Sequence, residues 1–131
     1  MSNQSKPILC LDFDGVLHSY SSGWQGASVI PDEPVPGALD FLTKALRHFS
    51  VAIYSSRSSQ PFGIEAMKFW LGVQFAKQGM ETSELMAIMK EISFPSEKPP
   101  AFLTIDDRAI TFTGQWPVVE ELLLFKPWNK Q

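Results

Sequence analysis

Short apolar runs that stop abruptly in polar clusters alternate along this chain with longer stretches whose apolar positions recur every three or four residues. Ile8-Leu9-Cys10-Leu11 is continuous and apolar, as in a strand buried within a parallel sheet, and it breaks off at Asp12-Phe13-Asp14-Gly15. Val51-Ala52-Ile53-Tyr54 repeats the pattern and runs into Ser55-Ser56-Arg57-Ser58-Ser59, and Ala101-Phe102-Leu103-Thr104-Ile105 runs into Asp106-Asp107-Arg108. Between these runs, Ala38, Leu39, Leu42, Ala45, Leu46 and Phe49 predict a helix over 36–49, with Pro36 suited to its first turn. Phe62, Ile64, Met67, Trp70, Leu71 and Phe75 predict a second over 61–77, and a third over 82–92 follows the break at Gly79. The Met and aromatic side chains of residues 62–89 are expected to form helix-face core. Residues 118–125 also read as helical. Residues 18–35 are rich in Ser, Gly and Pro, with Trp24, Val29 and Ile30 as large apolar anchors, which predicts a loop or small hairpin. Pro95, Pro99 and Pro100 make 94–100 a connector, because proline removes a backbone donor and restricts the residue before it.

Alternating strands and helices predict an α/β fold with a mostly parallel sheet, right-handed crossovers and ligands at the carboxyl ends of the strands. With 131 residues, 44% of them hydrophobic, the expectation is one domain over 1–131. A lone cysteine, Cys10, excludes a disulfide framework and points to a reducing compartment, with the cytoplasm as the default. No run approaches the roughly 20 apolar residues of a membrane span, and the polar opening Met1-Ser2-Asn3-Gln4-Ser5-Lys6 lacks the apolar stretch of a signal peptide. A net charge of −3 offers no long-range attraction to a polyanion, so nucleic acid enters only as a substrate and no membrane partner is expected.

The chemistry lies where the apolar runs end. In a parallel sheet, Asp12/Asp14, Ser55/Ser56 and Asp106/Asp107 converge on one edge. Carboxylates so crowded raise one another's pKa unless a cation neutralises them. Oxygen donors with no accompanying His or Cys cluster favour a hard ion, and Mg²⁺ suits a site of two or three protein ligands completed by water and phosphate. Asp12, Asp14, Asp106 and Asp107 are therefore the candidate metal ligands. Two carboxylates in unlike environments can divide labour between nucleophile and acid/base. Ser55, Ser56, Arg57, Lys98 and Arg108 form the candidate substrate-binding set, with Ser55 and Lys98 neutralising phosphoryl oxygens as phosphoryl transfer requires. His18 and Trp24 flank this set; the sequence places His18 on a polar loop surface and Trp24 as a packing anchor of that loop.

Asp12-Phe13-Asp14-Gly15-Val16, the apolar strand ending at Ser55, Lys98 before Pro99, and Leu103-Thr104-Ile105-Asp106-Asp107 resemble the four ordered motifs of the haloacid dehalogenase (HAD) superfamily of phosphohydrolases. The resemblance spans about residues 8 to 110. It implies a three-layer α/β/α Rossmann-like domain, Asp12 as nucleophile forming an aspartyl-phosphate, and Asp14 as general acid and then general base. Mg²⁺ would sit between Asp12, the Asp14 backbone carbonyl and Asp106, while Asp107 holds either a metal-bound water or Lys98, and Ser55 and Lys98 touch the phosphoryl group. The Asp-Asp-Arg form of the last motif is also similar to that of the deoxyribonucleotidases. Unlike many relatives, this chain has little room for a cap domain between Gly15 and Pro36 or between Arg57 and Lys98.

Mg²⁺-dependent phosphomonoesterase activity is thus the expectation, with a nucleotide, a polynucleotide end or a phosphoprotein as substrate. A receiver-type phosphoacceptor module shares the residue types but not their order, since here the second acid pair follows the lysine. A non-catalytic phosphate-binding protein and a phosphotransferase use the same constellation and stay open, as do the oligomeric state and the choice between Asp106 and Asp107 as direct ligand.

Overall fold

A computed structural model describes residues 6–130, so the expectation for the polar opening falls outside it except at Lys6. Four strands, β1 (Ile8–Leu11), β2 (Ser50–Ile53), β3 (Ile92–Ser93) and β4 (Leu103–Ile105), form one all-parallel sheet in the order β3-β2-β1-β4. Three helices accompany it: α1 (Ala38–Ala45), α2 (Gly63–Lys77) and α3 (Thr82–Glu91). The α/β class and the parallel sheet read from the sequence are present. Among the described residues, no helix is long and apolar enough to cross a membrane.

Alternation along the central strands builds the core. Leu9 and Leu11 of β1 share a face with Val51 and Ile53 of β2, their register partners, and join Leu39 and Leu42 of α1 and Met67, Leu71 and Phe75 of α2 in one cluster. Each such side chain contributes about 1.5–3 kcal/mol by leaving water. Cys10 and Ala52, one residue out of phase, are buried as well, so β1 and β2 are covered on both faces.

Several boundaries differ from the sequence reading. The first helix keeps regular geometry only over Ala38–Ala45, because Gly37 enters it at φ +85° and the chain then tightens, with Phe49 N–H donating to Ala45 O. The third helix stops at Glu91 because Ile92 already pairs with Val51 in β3, a two-residue strand with no pattern of its own. Residues 118–125 are helical as expected, the helix being of 3-10 type over Val119–Leu124. Phe62 and Phe69 face solvent instead of the helix-face core expected of them. The apolar run Leu103–Ile105 does form a strand, but it lies at the sheet edge with every residue exposed.

Strand order fixes where a ligand can go. The chain runs outward from β1 through β2 to β3, then returns to the opposite side of β1 as β4. The crevice at such a reversal opens at the carboxyl ends of β1 and β4, where Asp12 and Asp106 stand.

Candidate active site

Asp12 follows β1 directly and is fixed from both sides. Its own N–H donates to Ile105 O of β4 at 3.0 Å, and the preceding carbonyl, Leu11 O, accepts from Tyr54 N–H at 3.0 Å. Asp12, Asp106 and Asp107 each offer a carboxylate oxygen, and these atoms all lie within 4.8 Å of one another. Burial pushes the Asp12 carboxyl up to about 8, reinforced by a hydrogen bond with Asp107 and the nearby negative charges of Asp106 and Asp107, against the N–H of Phe13, which favours the ionised form. Asp106 is the exposed member, and its Oδ1 accepts the N–H of Arg108 at 2.8 Å.

A tight turn carries the chain from the first acid to the second. The N–H groups of Val16, Leu17 and His18 all donate to Phe13 O, and Gly15 N–H donates to His18 O at 2.7 Å. Gly15 has φ +83°, and a Cβ there would lie 2.2 Å from Asp107 Oδ2, so the turn needs glycine for both conformation and space. Trp128 Nε1–H donates to Gly15 O at 2.8 Å and Asn129 Nδ2–H to Ser19 O at 3.0 Å, which ties a segment more than a hundred residues downstream to this turn. Beyond it, Ser19 N–H donates to Glu33 O and Val35 N–H to Leu17 O, so 17–35 is a small hairpin-like excursion, one of the two forms expected.

Asp14 is held away from the acidic trio's hydrogen bonds. Its Oδ1 accepts from Arg57 Nε at 3.2 Å, Arg57 Nη2 at 3.1 Å and His18 Nδ1 at 2.9 Å, and its Oδ2 accepts from Arg57 Nε at 2.9 Å. Arg57, expected to contact substrate, is instead fully buried: Nη1 donates to the carbonyls of Gly26, Ala27 and Val29. Trp24 lies over it, 4.8 Å from guanidinium carbon to ring centroid, and keeps 46% of its surface exposed. His18 is also fully buried, against the polar-surface reading, and packs on Phe13 and Trp70. Asp32 N–H donates to His18 Nε2 at 3.1 Å, so Nε2 accepts and Nδ1 carries the proton given to Asp14.

The remaining candidates spread around this centre. Ser55 ends β2 in a buried position, where its Oγ accepts Arg57 N–H at 3.1 Å and its N–H donates to Ser58 Oγ at 3.0 Å, a local turn that starts the approach to α2. Ser56 is exposed, and its carbonyl accepts Gln60 Nε2–H. Lys98 is exposed on its connector, close enough for its charge to act on the Cys10 thiol beneath the strand ends. Arg108 is exposed at the rim, and its charge reaches Tyr20, as do those of Asp14, Arg57 and Asp107.

No known family, curated protein or solved structure matches this chain. Its chemistry is therefore read from the geometry. Three oxygen donors at a strand-order reversal, two of them hydrogen-bonded as acids, form a set that a hard divalent cation fits, because the cation replaces a shared proton and removes the repulsion. Asp32 and Trp128 escaped the sequence reading, and His18 entered it only as a loop-surface residue beside the candidate set. None carries a local signal, since each acts through a contact made only after folding.

Proposed function

We propose that this chain is a capless HAD-type phosphohydrolase with a three-layer α/β/α domain, taking a phosphoryl group from a monoester onto Asp12 and then passing it to water. The observation that carries the reading is the gathering of Asp12, Asp106 and Asp107 within 4.8 Å at the carboxyl ends of β1 and β4. Asp12, Asp106 and Asp107 are the residues to hold Mg²⁺, which supplies the charge that keeps Asp12 ionised and draws phosphoryl oxygens to the site.

The chain's own groups then divide the work. An Asp12 carboxylate oxygen attacks phosphorus, the bond to the leaving oxygen breaks, and Asp14 gives that oxygen its proton. Water attacks the aspartyl-phosphate, Asp14 takes a proton from it, and the bond from phosphorus to Asp12 breaks to free inorganic phosphate. Lys98 is an exposed cation available to the phosphoryl oxygens, as is Arg108 at the rim, whereas the buried Ser55 shapes the loop beside them. A shallow site without a cap suits a phosphate at the end of a large substrate.

Hydrolysis of an aryl phosphate with and without Mg²⁺ tests this reading. Activity should require the metal and fall at least 1,000-fold in Asp12→Asn, since a lost nucleophile leaves only binding and electrostatics. The Asp14–Arg57 ion pair favours, as a second reading, a phosphate-binding protein without turnover. Mg²⁺-dependent binding of a phosphate analogue by a wild type that hydrolyses no ester would establish it.

A further inference from the structure

We propose that the cleft between α2 and residues 28–33 is a binding site for an adenine nucleotide, separate from the acidic centre and independent of any metal. The cavity there measures about 360 Å³, within the range of small-molecule sites, and none of Asp12, Asp106 and Asp107 lines it. Positions 66, 69, 70, 73, 74 and 77 of α2 form one wall, as spacing along a single helix face dictates.

Gln74 decides the ligand. The residue is only 6% exposed, yet its amide has no hydrogen-bond partner among the described residues. No polar side-chain atom there is sealed off without a partner, so the amide opens onto the cavity that it lines. Side chains buried this deeply are ordinarily paired, which makes the amide a place for a ligand. It presents a donor, Nε2–H, beside an acceptor, Oε1. A carboxylate or phosphate would be repelled by the oxygen and an ammonium by the nitrogen, so the group that meets Gln74 is neutral and carries an acceptor beside a donor. Trp70, one turn earlier, spends its Nε1–H on Asp32 O at 3.0 Å and offers only its ring, and Val73 is aliphatic. A sugar would bury several hydroxyls here with one amide to receive them, whereas a flat base would not. Adenine meets such an amide with its N6 donor and N7 acceptor and leaves fewer polar groups to bury than guanine.

The rim suits the rest of a nucleotide. Phe69 is 76% exposed and packs against no other ring among the described residues, so its face is free to stack on the base. Glu33 and Lys77 line the cleft from exposed positions, and neither joins an ion pair among the described residues. Glu33 can accept from ribose hydroxyls, and the Lys77 ammonium, one turn beyond Gln74, can take the 5′-phosphate.

Calorimetric titration of protein stripped of divalent ions tests the site. The probes are adenosine and adenosine 5′-monophosphate, with guanosine and glucose for comparison, against wild type, Gln74→Met, Phe69→Ala and Lys77→Met. Gln74→Met keeps the volume and deletes the amide, so both adenine ligands should weaken about tenfold or more. Its melting temperature should not fall, because the amide bonds nothing within the fold. Phe69→Ala, at an exposed position, should weaken both about fivefold or more. Lys77→Met should bring the monophosphate down to the affinity of adenosine and leave adenosine unchanged. Saturation by neither adenine ligand at millimolar concentration, guanosine or glucose held as tightly as adenosine, or undiminished binding by Gln74→Met would overturn the inference. Such a failure leaves the phosphohydrolase reading as it stands, since that reading is tested with Mg²⁺ present.

Discussion

A carboxyl pushed up to about 8 by burial and a neighbouring acid makes Asp12 costly to ionise. Because its folded value lies above the ordinary 3.8, the protonated form favours the fold. That contribution is complete below about pH 4 and is lost as pH rises to about 8. Melting temperatures of protein stripped of divalent ions should fall across that window, added Mg²⁺ should restore them at its upper end, and Asp12→Asn should flatten the dependence. A melting temperature indifferent to pH between 4 and 8 in stripped wild type would contradict the assignment. At Gly15, the 2.2 Å approach of a Cβ to Asp107 Oδ2 means that Gly15→Ala must displace that carboxylate. Mg²⁺ affinity, followed by calorimetry, should weaken at least tenfold, and the left-handed φ should cost about 1–2 kcal/mol of stability in addition.

At the scale of elements, the start of α2 concentrates the compromises. Gly63 passes so close to Arg57 that a Cβ would lie 1.8 Å from the Arg57 carbonyl oxygen, and the exposed residue before it, Phe62, stands at φ +64°. Asparagine tolerates that region, so Phe62→Asn should stabilise the protein by about 0.5–1 kcal/mol, visible as a raised denaturant midpoint with unchanged slope. Gly63→Ala should do the reverse by several kcal/mol, because backbone cannot yield as a side chain can. These ends also show what the sequence could express. β1 and β2 were legible because continuous apolar runs halted at polar clusters, and that halt is itself the placement of the acids and serines. β3 was not, since Ile92 and Ser93 become a strand only by pairing with Val51 and Ala52. Arg57 looked like a substrate contact because it follows Ser55 at a strand end; that it turns inward depends on Asp14 and on carbonyls thirty residues away. His18 likewise reads as an ordinary loop residue until Asp14, Asp32 and Trp70 surround it.

On the scale of the whole molecule, burial declines from the centre of the sheet toward β4. That edge strand and the segment after it expose Phe102, Leu103, Phe112, Trp116, Leu123 and Leu124, while β1 and β2 are sealed on both faces. Besides the pairing of β4 with β1, two hydrogen bonds tie this far side back to the Gly15 turn, from Trp128 to Gly15 and from Asn129 to Ser19. Trp128→Phe keeps the ring and deletes the donor, so it should lower stability by about 1 kcal/mol by thermal melt and raise the Mg²⁺ requirement for turnover, since the Gly15 turn abuts Asp107. The same two bonds impose a timetable on synthesis. The ribosome makes the turn between Asp12 and Ser19 more than a hundred residues before the groups that fasten it. A nascent chain can hold its sheet, its helices and the Asp14–Arg57 pair before residue 129 emerges, but the backbone of the Gly15 turn lacks its last two fastenings until then.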